Sequence, residues 1–189
     1  VQAQAGVRAL ASRVGGSIRG TMTEVARRFL EEARLVVIGA LDQAGRPWAS
    51  LVTGAPGLIG PLDERTVAIS RQVAASDPLA DALVPGALVG LLVPDLVARR
   101  RLRINGRIVS VDDEGLVVRA DQVYANCPQY IQRRDPSPEA QLRGGPVVTR
   151  GSALTARQRA WIAGADTFFI ATANPPEGVD ASHRGGAPG

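Results

Sequence analysis

The stretch LVVIGALDQAGRPWASLVT, residues 35–53, decides the fold class. Its first part, 35–41, is rich in branched apolar side chains; the turn sequence Asp42-Gln43-Ala44-Gly45 and a second run, 47–53, follow it. Short apolar runs on both sides of a glycine-containing turn are typical of an antiparallel β-hairpin. The stretch therefore predicts two paired strands.

The unit that contains this hairpin occurs twice. A shift of 132 positions places residues 22–57 on 154–189 without a gap, and 10 of the 36 aligned positions are identical, most clearly ASLVTGAPG at 49–57 and ASHRGGAPG at 181–189. The capping-box patterns Thr21-x-x-Glu24 and Thr155-x-x-Gln158 predict a helix ahead of each hairpin. Duplication of a helix–hairpin unit explains the match.

Only the first copy continues into further predicted strands. Apolar and alternating patterns predict strands at 66–70, 87–93, 101–109 and 116–123, and Asp77-Pro78 predicts a short helix up to Val84. The fold class is mainly β with flanking helices, and we expect a six-stranded antiparallel split β-barrel followed by the start of a second repeat. The predicted organisation is an N-terminal helical segment (1–20), a split-barrel domain (21–135), a linker (136–153) and a truncated second repeat (154–189).

The composition excludes several kinds of chemistry. All 22 basic residues are arginine, so a lysine Schiff base and a lysine-containing P-loop are not available. The single histidine, His183, and the single cysteine, Cys127, cannot form a Cys/His zinc site or an internal disulfide. We therefore expect no metal site.

Charge and hydropathy patterns also limit the partners. Aromatic residues make up only 4% of the chain and 18 residues are acidic, so we expect no nucleic-acid partner. The longest apolar run, 82–94, is interrupted by Pro85 and is too short to span a bilayer, and the first twenty residues resemble no secretory signal. We expect no membrane association and a cytoplasmic location.

Four local patterns resemble one protein family. They are GRPWASL at 45–51, RRLRINGR at 100–107, NCPQYIQRR at 126–134 and DASHRGG at 180–186. Together they are similar to the pyridoxamine 5'-phosphate oxidase-related flavin-binding proteins, which have the split-barrel fold. The third pattern is close to a Cys-Pro-Lys-Tyr-Ile-Gln signature of tandem members, with Gln129 where lysine is common, and the fourth is similar to a Ser-Pro-Arg-Gly-Asp flavin loop.

The resemblance implies FMN held between two barrels, either across a homodimer interface or within a pseudo-dimer of two repeats. Four regions are expected to contact the cofactor: the second predicted strand (47–53), the end of the third (66–70), the arginine-rich strand (101–109) and the second copy (154–189). In the second strand, Ser50 stands at the position of a phosphate-contacting arginine. The candidate cofactor-binding residues are Ala49, Ser50, Leu51, Ser70, Arg71, Arg101, Arg103, Asn105, Ser182 and Arg184.

The function expected from this resemblance is flavin binding, in an FMN-dependent oxidoreductase of unknown substrate. The resemblance assigns no catalytic residue. FMN is the expected cofactor, with FAD, deazaflavin and haem as alternatives. Two other functions stay open: non-catalytic binding of flavin, deazaflavin or haem, and a degenerate barrel that acts in dimerisation.

Overall fold

The structure, a computed structural model, describes residues 18–126, 128–135, 151–175 and 177–188. Cys127 and nearly all of the predicted N-terminal segment and linker lie outside these residues. The described end of the N-terminal segment, 18–20, is not helical, and Arg19 forms an isolated antiparallel bridge with Val123.

The described residues form two helices and nine strands. The two helices are α1 (Glu24–Glu31) and α2 (Ala156–Ala163). The strands are β1 (Leu35–Leu41), β2 (Pro47–Thr53), β3 (Ile59–Pro61), β4 (Thr66–Ile69), β5 (Leu88–Asp95), β6 (Arg100–Asp112), β7 (Gly115–Ala125), β8 (Thr167–Asn174) and β9 (Gly178–Gly185).

Seven strands form one antiparallel sheet in the order β2-β1-β5-β6-β7-β4-β3, and β8 pairs with β9 in a separate hairpin. The predicted count of six strands is wrong because β3, only three residues long and containing Gly60 and Pro61, has no alternating pattern that a sequence reading detects. The hydrogen bonding described leaves β2 and β3 as edges, so the expected closed barrel is an open sheet. The fold is mainly β, as predicted.

The main core lies on one face of this sheet. Val52 of edge strand β2 and Ile59 of edge strand β3 belong to the same buried cluster as Leu91 at the centre, which indicates that the sheet curls around a single core. Alternation places Leu102 and Ile104 of β6 in this core and turns Arg101, Arg103 and Arg107 to the opposite face, as the sequence predicts.

Two local expectations near the helices are wrong. The N-cap of α1 is Thr23, which accepts a hydrogen bond from Ala26 N at 3.2 Å, and not Thr21. The predicted helix after Asp77 is a series of turns, in which the Asp77 carboxylate accepts from Leu79 N at 2.9 Å without a helix following. An aspartate can cap a turn as well as a helix, so the same side chain fits both patterns. The second capping box, at Thr155, is confirmed.

The β8–β9 hairpin packs on the outer face of the large sheet. Gly39 of β1 and Gly90 of β5 are paired in register and present no side chain there. A Cβ on Gly90 would lie 2.6 Å from Ala181 N and from Asp180 Cα, so the β9 backbone lies directly on this glycine pair. Ala181 also forms a second buried cluster with Val37 and Leu92. Because both faces of β5 are thereby covered, its six central residues are all buried.

A helix and a hairpin therefore occur where the duplicated sequence predicts them. The domain prediction also states that this helix and hairpin begin a second barrel, and that part stays a prediction. Among the described residues, no helix is long and apolar enough to cross a bilayer.

Candidate functional site

The best-connected polar cluster lies where β6 meets β9. Arg103 is ion-paired with Asp180 and also donates to the Ser182 hydroxyl, although these partners are more than 70 residues away in sequence. Asp180 also accepts from the Ser182 hydroxyl at 3.0 Å and from the Tyr124 hydroxyl at 3.1 Å. The Arg103 guanidinium carbon lies 5.1 Å from the centre of the Tyr124 ring. Burial, and then the neighbouring charges of Arg184 and Arg101, lower the pKa of Arg103, while its interaction with Tyr124 raises it.

His183 lies beside this cluster with its protonation set by its surroundings. Its Nδ1 lies 2.6 Å from Nη1 of Arg101, and since a guanidinium only donates, Nδ1 accepts and the ring proton is on Nε2. Burial, and then the charges of Arg101 and Arg184, hold the pKa of His183 below 6.5, so the ring is neutral at pH 7. Its Nε2 is buried without a hydrogen-bond partner in the part of the chain that is described. His183 is therefore a fixed donor that a ligand acceptor would satisfy.

The segment 128–135 reaches the end of β9. Gln132 donates to Gly186 O at 2.8 Å, and Arg134 forms an ion pair with Asp166. A Cβ on Gly185 would collide with the carbonyl oxygen of Tyr130 and would lie 3.1 Å from Nε2 of His183. The two most distinctive sequence patterns, at 126–134 and 180–186, thus contact one another, and glycine at 185 permits the approach.

A cavity of about 430 Å³ lies at this contact. Arg99 and Arg133 supply two positive charges to its wall, and the loop Gly186–Ala187 lines it together with Tyr130, whose ring is 59% exposed. Arg99 and Tyr130 have φ angles of 56° and 70°, and they are the two non-glycine residues with positive φ among those described. Strained backbone of this kind concentrates at ligand sites.

These residues fit a flavin mononucleotide. Arginine forks match a phosphate, and an exposed aromatic ring can pack against the isoalloxazine. The unpartnered Nε2 of His183 is a further donor, although it is buried and does not line the cavity. The volume lies within the range of about 300–1,000 Å³ typical of small-molecule sites.

Five of the ten candidate residues come together in or beside the polar cluster between β6 and β9, and none of the ten lines the cavity. Arg101, Arg103 and Ser182 belong to the hydrogen-bonded cluster. Arg184 is exposed beside it and donates to the carbonyl of His183 at 3.2 Å. Asn105 lies two residues along β6 from Arg103 with a buried, unpartnered Oδ1.

The other five candidates lie elsewhere. Ser50 is buried on the core face, where its hydroxyl donates to Asp77 at 2.7 Å, while Ala49 packs under the hairpin and Leu51 is 55% exposed. Ser70 donates to Gly57 O at 3.2 Å, and with Arg71 it follows β4. Ile69, the last residue of β4, pairs with Leu116 of β7. Tyr124, which belongs to the polar cluster, lies eight residues farther along the same strand. At about 3.3 Å per residue, this end of the sheet is roughly 26 Å from the cluster.

Sequence reasoning missed Asp180, Tyr130 and Arg133, and the pairing of His183 with Arg101. All five residues stand inside the quoted patterns, so the signal was present. Which side chains pair across such sequence distances depends on how the hairpin docks, and no local pattern encodes that.

Comparison with known families identifies the chain. The sequence profile described as pyridoxamine 5'-phosphate oxidase matches residues 22–146. The chain belongs to this family. A search of curated proteins finds no match.

Solved structures give distant matches. HupZ from Group A Streptococcus, determined at 1.70 Å resolution, is 10% identical with a TM-score of 0.43, covering 55% of this chain and 93% of that chain. A histidine-to-alanine variant of HupZ has a TM-score of 0.42 at 10% identity, covering 55% and 98%. An F420 reductase is 11% identical with a TM-score of 0.33, covering 56% and 97%. At these scores the similarity is remote.

Proposed function

We propose that this family member binds FMN at the junction of β6, β9 and the segment 128–135, and acts as an FMN-dependent oxidoreductase. The observation that carries the proposal is the contact between the patterns at 126–134 and 180–186 beside a cationic cavity. Flavin chemistry explains why distant segments should converge on arginines, an aromatic ring and an unpartnered donor.

Each part of the site has a distinct role. Arg133, which lines the cavity, would hold the phosphate with charge-assisted hydrogen bonds. Tyr130 would pack against the ring system. His183, held as a neutral donor by Arg101, would orient the flavin edge. When bound, FMN supplies the acceptor for a hydride or for single electrons, and the protein supplies binding and orientation.

Arg103 serves the site indirectly. Its guanidinium is occupied by Asp180 and Ser182, so it fixes β9 against β6 and thereby places His183. The second copy of the helix–hairpin unit then forms one site with β6 of the large sheet within a single chain, which favours the pseudo-dimer. A homodimer and a cytoplasmic location remain expectations from the sequence.

The direct experiment is an FMN titration of the purified protein, followed by flavin fluorescence and visible absorption. Replacing Arg133 with glutamine removes a phosphate contact and should weaken FMN binding about tenfold. Arg107→Gln is the matched control, because Arg107 is an exposed arginine of β6 outside the cavity. Equal FMN affinity in both variants would refute the site, and no flavin binding by the unaltered protein would refute the function.

A non-catalytic function is favoured by one observation. Arg103 and Ser182, two of the candidate cofactor contacts, are already saturated by Asp180. If the protein binds FMN but NAD(P)H does not bleach the flavin absorption near 450 nm, a carrier function replaces that of an oxidoreductase. Deazaflavin and FAD, titrated in parallel, test the identity of the cofactor.

A further inference from the structure

A second cavity, of about 410 Å³, lies beside the start of β6 between α1 and the end of β7. Phe29 of α1, Leu102 of β6 and Val123 of β7 contribute apolar side chains to its wall, and Val25 lines its α1 side. None of the described residues that line it is acidic. The part of its surface that the described residues form is therefore apolar with positive charge.

Four arginines line this cavity, and two of them have identified partners. Arg100 is ion-paired with Asp95 at 3.2 Å and lies 5.3 Å over the ring of Phe29. Arg101 contacts His183. The side chains of Arg19 and Arg99, both exposed, make no ion pair or hydrogen bond within the described ranges. No carboxylate among the described residues therefore balances the charge of these two guanidinium groups.

One further observation points to a ligand at the same place. Arg99 has a φ of 56°, a conformation that a non-glycine residue adopts at a cost. Strained backbone of this kind concentrates at ligand sites.

We infer that this cavity binds a monocarboxylate with an apolar body, at a site separate from that of the flavin. A guanidinium fork takes a carboxylate with two parallel hydrogen bonds. The body of the ligand would pack against Phe29, Leu102 and Val123. A single negative charge fits this wall better than the double charge of a phosphate monoester, because each further charge adds a desolvation cost.

The cavity adjoins the proposed flavin site but does not depend on it. Arg99 lines both cavities, and Arg101 connects the second one to His183. In an FMN-dependent oxidoreductase, a carboxylate held here would lie next to the cofactor, in the place of a substrate. The binding itself is measurable whether or not FMN binds.

Calorimetric titration with three probes separates the two parts of the recognition. The carboxylate with an apolar body is 3-phenylpropionate; 3-phenylpropan-1-ol keeps the body without the charge, and acetate keeps the charge without the body. The inference requires that 3-phenylpropionate binds at least tenfold more tightly than either of the others. Equal affinity for 3-phenylpropionate and the alcohol would overturn it.

Two variants locate the binding. Arg19→Gln removes one uncompensated cation, and Val25→Asp places a repelling charge on the wall at a residue 75% exposed, where folding is not at risk. Each should weaken 3-phenylpropionate binding about tenfold. Arg133→Gln, in the neighbouring cavity, is the matched control and should leave that binding unchanged.

Addition of FMN distinguishes this inference from the proposed function. Unchanged 3-phenylpropionate affinity in saturating FMN supports two separate sites, whereas competitive displacement by FMN would overturn the second site and assign its cavity to the flavin. If FMN fails to bind while the probe binds and responds to Val25→Asp, the flavin proposal fails and this inference stands. Probe binding that neither variant weakens overturns the inference.

Discussion

Replacing Gly90 with alanine should loosen the hairpin from the sheet. The added Cβ would lie 2.6 Å from both Ala181 N and Asp180 Cα, and ordinary van der Waals contact begins at 3.4 Å. The β9 backbone must therefore move by about 0.8 Å or the β5 strand must bend. Backbone cannot rotate away as a flexible side chain can, so the contact is relieved only by displacing β9.

The expected magnitude follows from two opposing terms. Overpacking by a methyl group in a close contact costs roughly 1–3 kcal/mol, while replacing a strand glycine with alanine recovers about 0.5–1 kcal/mol. We expect a net loss of about 1–2 kcal/mol in the free energy of unfolding. Gly60→Ala is the matched control, since a Cβ on Gly60 of β3 meets nothing within 4 Å. That variant should be neutral or slightly stabilised.

Urea unfolding followed by circular dichroism measures the difference between the two variants. Hydrogen exchange read by mass spectrometry locates it, and Gly90→Ala should lose amide protection over 178–185 while the strands of the main core keep theirs. Equal unfolding free energies for Gly90→Ala and Gly60→Ala, with β9 still protected, would refute the docking on which the site depends.

Three further predictions concern single side chains. Arg103→Leu leaves the partly buried carboxylate of Asp180 without its cation and should destabilise the fold by about 2–4 kcal/mol; in urea unfolding the double variant with Asp180→Asn should recover part of this loss. The folded-state pKa of His183 lies below the unfolded value of 6.5, so the unfolded chain binds the proton first and the contribution of His183 to stability is lost as pH falls below about 6.5. Thermal unfolding across this range should show His183→Gln with a flatter pH dependence, and an identical slope would contradict the argument. Ser50→Ala breaks the hydrogen bond to Asp77 and should cost about 1 kcal/mol of unfolding free energy, while FMN affinity stays unchanged, because Ser50 faces the core; a large loss of FMN affinity would contradict this placement.

The sequence predicted the regular strands well because their patterns are local. The bounds 35–41 and 47–53 agree with β1 and β2, since apolar runs around a turn sequence determine both ends of each strand. The face alternation in β6 is confirmed for the same reason. The strand Ile59–Pro61 was missed because three residues cannot show a period, and a glycine and a proline argue against a strand.

The polar cluster was only half predictable. Arg101 and Arg103 of β6 and Ser182 and Arg184 of β9 were named as candidates because each stands in a recognisable pattern. The partnership between Arg103 and Asp180, and between Arg101 and His183, depends on the docking of a hairpin across a glycine pair. That docking is a tertiary event. Ser50 faces the core for a different reason, because it alternates with Ala49 and shares its face of β2 with the buried Val52.

The most direct measurement of the central claim is a crystal structure of the protein grown with saturating FMN. We predict flavin density at the junction of β6, β9 and 128–135, with the phosphate within hydrogen-bond distance of Arg133 and with His183 Nε2 donating to the flavin. Density for FMN at another place, or an empty junction in crystals of protein that binds FMN in solution, would contradict the account.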